Sequence, residues 1–337
     1  MKKLMTLFLA MIMVCGLAAC GSTQNGAPAS SQSGQDAQAP AEEQKPETIT
    51  VECVDANSEK IEVEVPYDAQ RIVVLDMTCM DILTSLGLED RIVGCASTSL
   101  DYLTGYTESI ANVGTVKTFD LEAIMELEPE IIFMGGRGAK DFYEDLCKIA
   151  PVVRNVTDSE LGLVESVTVH AKEIASIWGL ESEIDAKVAG FADRIQVLQE
   201  FAAGKNMILG MCSGGGFSVM GDTGRCSIIG TEIGFDNIGV QDNVDTATHG
   251  DEASFEYIVQ MAPQYIFVMD RDAATGTNEA ALTAKEIMEN ELVMSTDAYK
   301  NGNLIILEHP AVWYTGEGGI TALDIMLQDL ESALLGK

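Results

Sequence analysis

Two of the seven arginines in this 337-residue chain stand at matched places of an internal repeat. Residues 120–137 align with residues 254–271 at a constant offset. Glu122 falls on Glu256, Ile124 on Ile258, Pro129 on Pro263, Phe133 on Phe267 and Arg137 on Arg271. A guanidinium is a rigid fork of donors that matches anionic oxygens. Two such forks in corresponding positions predict a shared pocket for an anion. A third candidate, Arg225, lies in the turn Gly221-Asp-Thr-Gly-Arg225. Lys140 is expected to add charge on the rim opposite Arg225. At an effective dielectric near 20 and 5 Å, one Arg attracts a unit anion by about 3 kcal/mol before desolvation. Local attraction of that size is needed, because the chain carries 53 acidic and 20 basic side chains and a net charge of −33.

Imidazole and phenolate are donors suited to ferric iron. The chain has three histidines, His170, His249 and His309. His170 lies in a helical pattern and reads as structural. His249 sits in the loop Thr246-Ala-Thr-His249-Gly250, just before the second repeat copy. Tyr314 follows Trp313 in Trp-Tyr-Thr-Gly-Glu-Gly-Gly319, after a strand. On spacing alone, His249 and Tyr314 fit packing roles as well as metal binding.

The elements that must position these groups alternate in type. Each repeat copy reads as a short amphipathic helix, a proline turn and a buried strand that ends at the arginine. Further apolar strands are expected at 71–76, 91–94, 207–210 and 304–307, with helices at 79–86, 141–150 and 321–335. Alternation of this kind implies parallel sheets covered on both faces. Residues 48–52 and 60–65 alternate at period two and predict a hairpin. Helices are expected over 165–178 and over 181–203; the second would reach about 30 Å and could join two lobes as a strut.

The N-terminus has a different character. Lys2 and Lys3, an apolar run from Leu4 to Val14, and Leu17-Ala-Ala-Cys20 predict a signal peptide. The last four residues resemble the lipobox of bacterial lipoproteins, which implies acylation of Cys20. Residues 21–46 contain no Val, Ile, Leu, Met or aromatic side chain. Such a segment cannot offset its ordering entropy and is expected to be a flexible tether. The expected organisation is a signal peptide at 1–19, a lipid-anchored tether at 20–46, an α/β lobe at 47–180, a linker helix at 181–204 and a second α/β lobe at 205–337. Cys53, Cys79, Cys95, Cys147, Cys212 and Cys226 form no CxxC pair and lie mostly in apolar runs, which favours buried free thiols.

Several functions are excluded. The negative charge repels nucleic acid and anionic headgroups. No apolar run reaches the roughly 18 residues of a membrane span. HExxH, GxSxG, Walker A and CxxC patterns are absent from the sequence, and three scattered histidines make no zinc site by themselves. An enzyme is therefore not expected, and no intrinsic cofactor is.

Residues 71–76, Asn112-Val-Gly-Thr115, Gly135-Gly-Arg137, Ser227-Ile-Ile-Gly230, Thr248-His-Gly250, Ser254-Phe-Glu-Tyr-Ile258, Asp270-Arg271 and Trp313-Tyr314 together carry a family resemblance. The chain resembles the siderophore-binding lipoproteins of bacterial ABC importers, close to the catecholate and petrobactin branch. The resemblance implies two Rossmann-like lobes with parallel sheets joined by a single long helix, the class III periplasmic-binding-protein fold. It implies a ferric siderophore bound between the lobes by Arg137, Arg225, Arg271 and Lys140, with Trp313 in contact. His249 and Tyr314 would complete the iron sphere of a tetradentate complex. Glu122 and Glu256 would dock onto the permease, one per lobe. A monomer held by lipid at the extracytoplasmic face of the cell membrane is expected. Relatives tend to have Gly-Pro-Gly before the arginine at 225, where this chain has Asp222-Thr-Gly224. Capture of haem or cobalamin by the same fold is the alternative, and an extracytoplasmic enzyme or sensor domain stands further off.

Overall fold

A computed structural model describes residues 45–158, 161–239, 251–252, 255–276 and 281–336. The predicted signal peptide, Cys20, nearly all of the tether and His249 lie outside the described residues.

The chain from Lys45 onward opens with the expected hairpin. Strand β1 (Thr48–Val54) pairs antiparallel with β2 (Lys60–Pro66), Thr48 opposite Pro66. The first sheet is built from β3 (Ile72–Val74), β4 (Ile92–Ser97), β5 (Ala111–Thr115), β6 (Thr118–Phe119), β7 (Ile131–Met134) and β8 (Val152–Arg154), in the order β6-β5-β4-β3-β7-β8. All pairings are parallel except β5 with β6. The central strands β3 and β7 are buried along their whole length, as residues covered on both faces must be.

The second sheet contains β9 (Asn206–Ser213), β10 (Gly216–Val219), β11 (Asp236–Asn237), β12 (Asp251–Glu252), β13 (Tyr265–Asp270) and β14 (Leu304–Ile306). Its order is β12-β10-β9-β13-β14, with β11 beside the start of β9. Strand β10 folds back on β9 as an antiparallel neighbour, so this sheet is mixed. The repeat is visible in both sheets: β7 lies between β3 and β8, and β13 lies between β9 and β14.

The single helix expected over 181–204 is two helices, Glu181–Val188 and Phe191–Ala202. Ala189 turns to an extended ψ of 131° and Gly190 adopts a φ of 91°. That left-handed conformation suits glycine and ends the helical ladder. The other expected helices form at Met77–Ser85, Ala139–Leu146, Leu163–Ser176 and Ile320–Leu335.

The closing helix Ile320–Leu335 belongs by sequence to the second lobe but packs against Met77–Ser85, Leu163–Ser176 and Phe191–Ala202. The buried carboxylate of Asp81 accepts from the backbone N–H of Thr321 and Ala322, both at 2.9 Å, which satisfies donors at the N-terminus of that helix. Tyr102 donates to the same carboxylate at 2.6 Å. Arg194 holds the other face, donating to Glu331 at 2.8 and 2.9 Å and to Asp324. One continuous apolar core results. It joins Ile72, Val74 and Phe133 of the first sheet, Met207, Leu209 and Phe267 of the second, and Leu323, Met326 and Leu330 of the closing helix. All six described cysteines are free; five are buried and Cys147 is exposed.

Candidate ligand-binding site

The two sheets present the ends of β7 and β13 toward one side chain. Val312–Gly316 forms a single π-helical turn, an irregularity that recurs at functional sites. It turns Trp313 inward and Tyr314 toward the gap between the lobes. Around the Tyr314 ring centroid stand the guanidinium carbons of Arg225 at 4.4 Å, Arg137 at 5.8 Å and Arg271 at 5.9 Å. Three cations within about 6 Å of one ring lie in the cation–π range, and each repels the others.

The arginines divide their hydrogen bonds between the two ends of Tyr314. Arg137 and Arg225 donate to its carbonyl oxygen at 3.2 and 2.9 Å. Arg271 donates to the phenolic oxygen at 3.3 Å and to Ser213 Oγ at 2.9 Å. Burial raises the phenol pKa, but the Arg271 hydrogen bond and the charges of Arg225, Arg271 and Arg137 outweigh it, and the net shift is downward. Burial and the nearby Arg225 charge lower the pKa of Arg137, against the opposing pull of Asp76 and Tyr314. The three guanidinium groups thus crowd one another around a single phenol.

A cavity of about 420 Å³ opens beside this cluster. Arg137, Arg225 and Tyr314 line it, together with residues from both lobes, among them Asp76, Asn155, His170 and Glu317. Gly135 makes room at the end of β7 for the Asp76 carboxylate, into which a Cβ there would run. Asp76 caps the helix Met77–Ser85, accepting from Thr78 N at 2.9 Å and Cys79 N at 3.3 Å, and burial raises its pKa. Glu317 is pushed up to about 8, chiefly by burial, with Arg225 and the Cys226 N–H opposing and Glu232 adding to the rise.

The structure brings Arg137, Arg225, Arg271 and Tyr314 together. Trp313, expected to touch ligand, is instead fully buried and donates its indole N–H to Asp329 Oδ2 at 2.8 Å. It anchors the closing helix, because a bulky indole gains most from the core and its single donor needs a buried acceptor. Lys140 is exposed on the helix Ala139–Leu146 and does not line the cavity. Glu122 and Glu256 are both exposed in the first turns of the matched helices Leu121–Glu126 and Phe255–Met261. Asp222, the residue that departs from the family pattern, accepts from Asn237 Nδ2 at 3.1 Å. Asp76, Asn155 and Glu317 were not legible as site residues. Each is a lone polar residue at an element end, and only the fold puts them on one wall. His170, which reads as structural in the sequence, lines this same cavity.

Residues 72–311 match the family described as Periplasmic binding protein. The chain belongs to that family. Its members are substrate-binding proteins, and the two α/β lobes found here are the class III form of the fold. The chain is 30% identical to the petrobactin-binding protein YclQ of Bacillus subtilis (strain 168) over 339 residues, 99% of each chain. The crystal structure of that protein superposes with a TM-score of 0.77 at 29% identity, covering 86% of this chain and 99% of that one. The ferric-anguibactin-binding protein FatB of Vibrio anguillarum is 29% identical over 277 residues, 77% of this chain and 81% of that protein. The periplasmic catecholate-siderophore-binding protein VctP of Vibrio cholerae superposes with a TM-score of 0.75 at 27% identity, covering 84% of this chain and 100% of that one.

Proposed function

We propose that this periplasmic-binding-family protein captures an anionic ferric siderophore of the catecholate type between its lobes and delivers it to an ABC permease. The observation that carries this reading is the convergence of Arg137, Arg225 and Arg271 on Tyr314 beside a cavity lined by both lobes. A ferric bis-catecholate carries one negative charge and a tris-catecholate three, and three guanidinium groups suit either. Petrobactin, the ligand in the name of the relative YclQ, is the first candidate. A tetradentate complex leaves two iron positions open. Tyr314, whose phenol pKa the neighbouring arginines hold below its ordinary value, offers one ligand, and His249 is assigned the other by the family resemblance. No catalytic step is assigned. The protein works as a lipid-anchored monomer at the outer face of the cell membrane, held through Cys20.

Titration of intrinsic fluorescence against a panel of ferric siderophores tests the reading. Submicromolar quenching by ferric petrobactin or another ferric catecholate is expected, with broad visible charge-transfer absorption on binding. No quenching by any member of the panel, or a Soret band with haem alone, overturns it.

Docking falls to Glu122 and Glu256. One helical turn beyond each stands an exposed apolar residue at a matched position, Met125 at 57% exposure and Val259 at 38%. Each lobe thus offers a carboxylate beside an apolar knob, a pairing suited to a partner with basic pockets in an apolar rim. Replacing both glutamates with alanine is expected to abolish uptake of ⁵⁵Fe-siderophore by cells while leaving the dissociation constant unchanged. Uptake at the wild-type rate would reject the docking role.

A further inference from the structure

A second cavity, of about 680 Å³, lies behind the first under the β1–β2 hairpin. The two cavities share a wall made of Asn155, Val156, Thr157, Asp158 and His170. Asn155 is 8% exposed, and neither its Oδ1 nor its Nδ2 has a hydrogen-bond partner among the described residues. Buried side-chain amides are nearly always paired, so one with both ends unspent needs an explanation. The other unpaired buried atoms, on Glu89 and Arg91, line neither cavity.

The neighbours do not supply a partner. The guanidinium of Arg154 is committed to Gly135 O at 3.1 Å, to Asp55 O and to Ser58 Oγ at 3.4 Å. The backbone of Asn155 is held separately, its N–H donating to Met134 O at 3.2 Å. The backbone thus fixes the strand end, while the side chain that lines both cavities keeps its donor and its acceptor unspent. Both cavities open to solvent, so water can serve the amide in the free protein, and a polar atom of a bound molecule can take its place.

We propose that Asn155 is a specificity-determining residue of this cleft, reading a polar group on the scaffold of the bound complex rather than its iron-binding oxygens. The inference rests on the ferric-siderophore reading above and divides the labour within the site. The arginine cluster answers to charge, which every ferric catecholate carries. The Asn155 amide donates and accepts at once, and so distinguishes a ligand bearing an amide or carboxylate in its backbone from one that lacks it.

The test uses the full chain and two probes, ferric petrobactin and the ferric bis-complex of plain catechol, which has no scaffold. Asn155→Leu keeps the branched heavy-atom shape and removes the amide. It is expected to weaken ferric petrobactin about tenfold or more and ferric catechol by less than about twofold. The thermal midpoint should rise by about 2–4 °C, as an unpaired buried amide is lost. Asn155→Ala serves if the leucine variant does not fold, with the same selective loss expected. Wild-type affinity for both probes in the variant overturns the inference alone. Equal loss on both probes overturns it too, because that pattern reports damage to the cavity. Failure of the wild-type protein to bind either probe overturns the ferric-siderophore reading and this inference with it.

Discussion

The two copies of the repeat are closely alike up to the end of their strands and then part. Both helices end on a residue in the left-handed region, Glu128 at φ 45° and Ala262 at φ 48°, each followed by proline. Both then tie the next turn to the neighbouring strand. Glu130 accepts from the N–H of Gln70 and Arg71, and Gln264, its counterpart, accepts from the N–H of Asn206 at 2.9 Å. Past the strand the mounting differs. In the second lobe β13 runs on to Asp270, which caps the helix Arg271–Thr275 by accepting from Ala273 N at 2.9 Å. Arg271 is thus the first residue of a capped helix, tied to Ser213, to the Tyr314 phenol and to Asp272 at 3.8 Å. In the first lobe Gly135 and Gly136 intervene, and Arg137 precedes Gly138 at φ 73°. Arg137 donates to a carbonyl and lines the cavity, whereas Arg271 does not line it. Duplicated residues are mounted unequally: Arg271 holds the tyrosine phenol, and Arg137 faces the cavity.

Removing Arg137 together with Arg225 should therefore produce the largest loss. Each guanidinium contributes up to about 3 kcal/mol of attraction before desolvation. The double alanine variant is expected to bind ferric petrobactin about 100-fold more weakly or worse, by fluorescence titration, with its thermal midpoint little changed. Arg271→Ala alone should cost about tenfold and raise the tyrosine pKa, seen by ultraviolet difference titration. If Arg271→Ala proves the more damaging to affinity, the division of labour is reversed.

Tyr314→Phe sharpens the comparison from the other side. It severs the Arg271 contact to the phenol and spares the carbonyl that Arg137 and Arg225 share. Direct iron ligation predicts about a tenfold loss for tetradentate ferric complexes and less than about threefold for hexadentate ones. Equal losses would leave the phenol with a purely electrostatic part.

Much of this was legible in the sequence, and the reasons are physical. Arg137 and Arg271 could be found because a repeat at constant offset shows that two residues share a structural context. The hairpin and the buried strands followed from period-two and continuous apolar patterns. The break at Gly190 escaped because the apolar spacing runs through it, from Ile184 and Val188 to Phe191, Ile195 and Leu198; a single left-handed glycine interrupts the backbone without disturbing the stripe. Trp313 misled for a different reason. Adjacent residues on a loop share a sequence context, but here the turn sends one inward to Asp329 and the other to the cleft. Asn155 and Glu317 carry no local signal at all. Their chemistry arises from burial, and burial is a property of the assembled lobes.

Glu317 gives the finest test, because it adjoins Arg225 and not Arg271. Its carboxyl, pushed up to about 8 mainly by burial, stays protonated at neutral pH and leaves the Arg225 charge available to an anion. As the pH rises past 8 it ionises and competes with the ligand. Affinity for a ferric catecholate should then fall about three- to fivefold between pH 7 and pH 9 in the wild-type protein, and stay flatter in Glu317→Gln. Stability carries the same sign. The folded state holds a proton that the unfolded chain releases near its ordinary carboxyl pKa. The wild-type protein therefore loses stability relative to Glu317→Gln as the pH climbs from about 4.5 to 8, and the gap between their thermal midpoints should widen over that window. A constant gap, with parallel affinity profiles, would mean that Glu317 ionises without sensing Arg225. Control of the anion would then rest with the arginines and not with a proton placed beside Arg225.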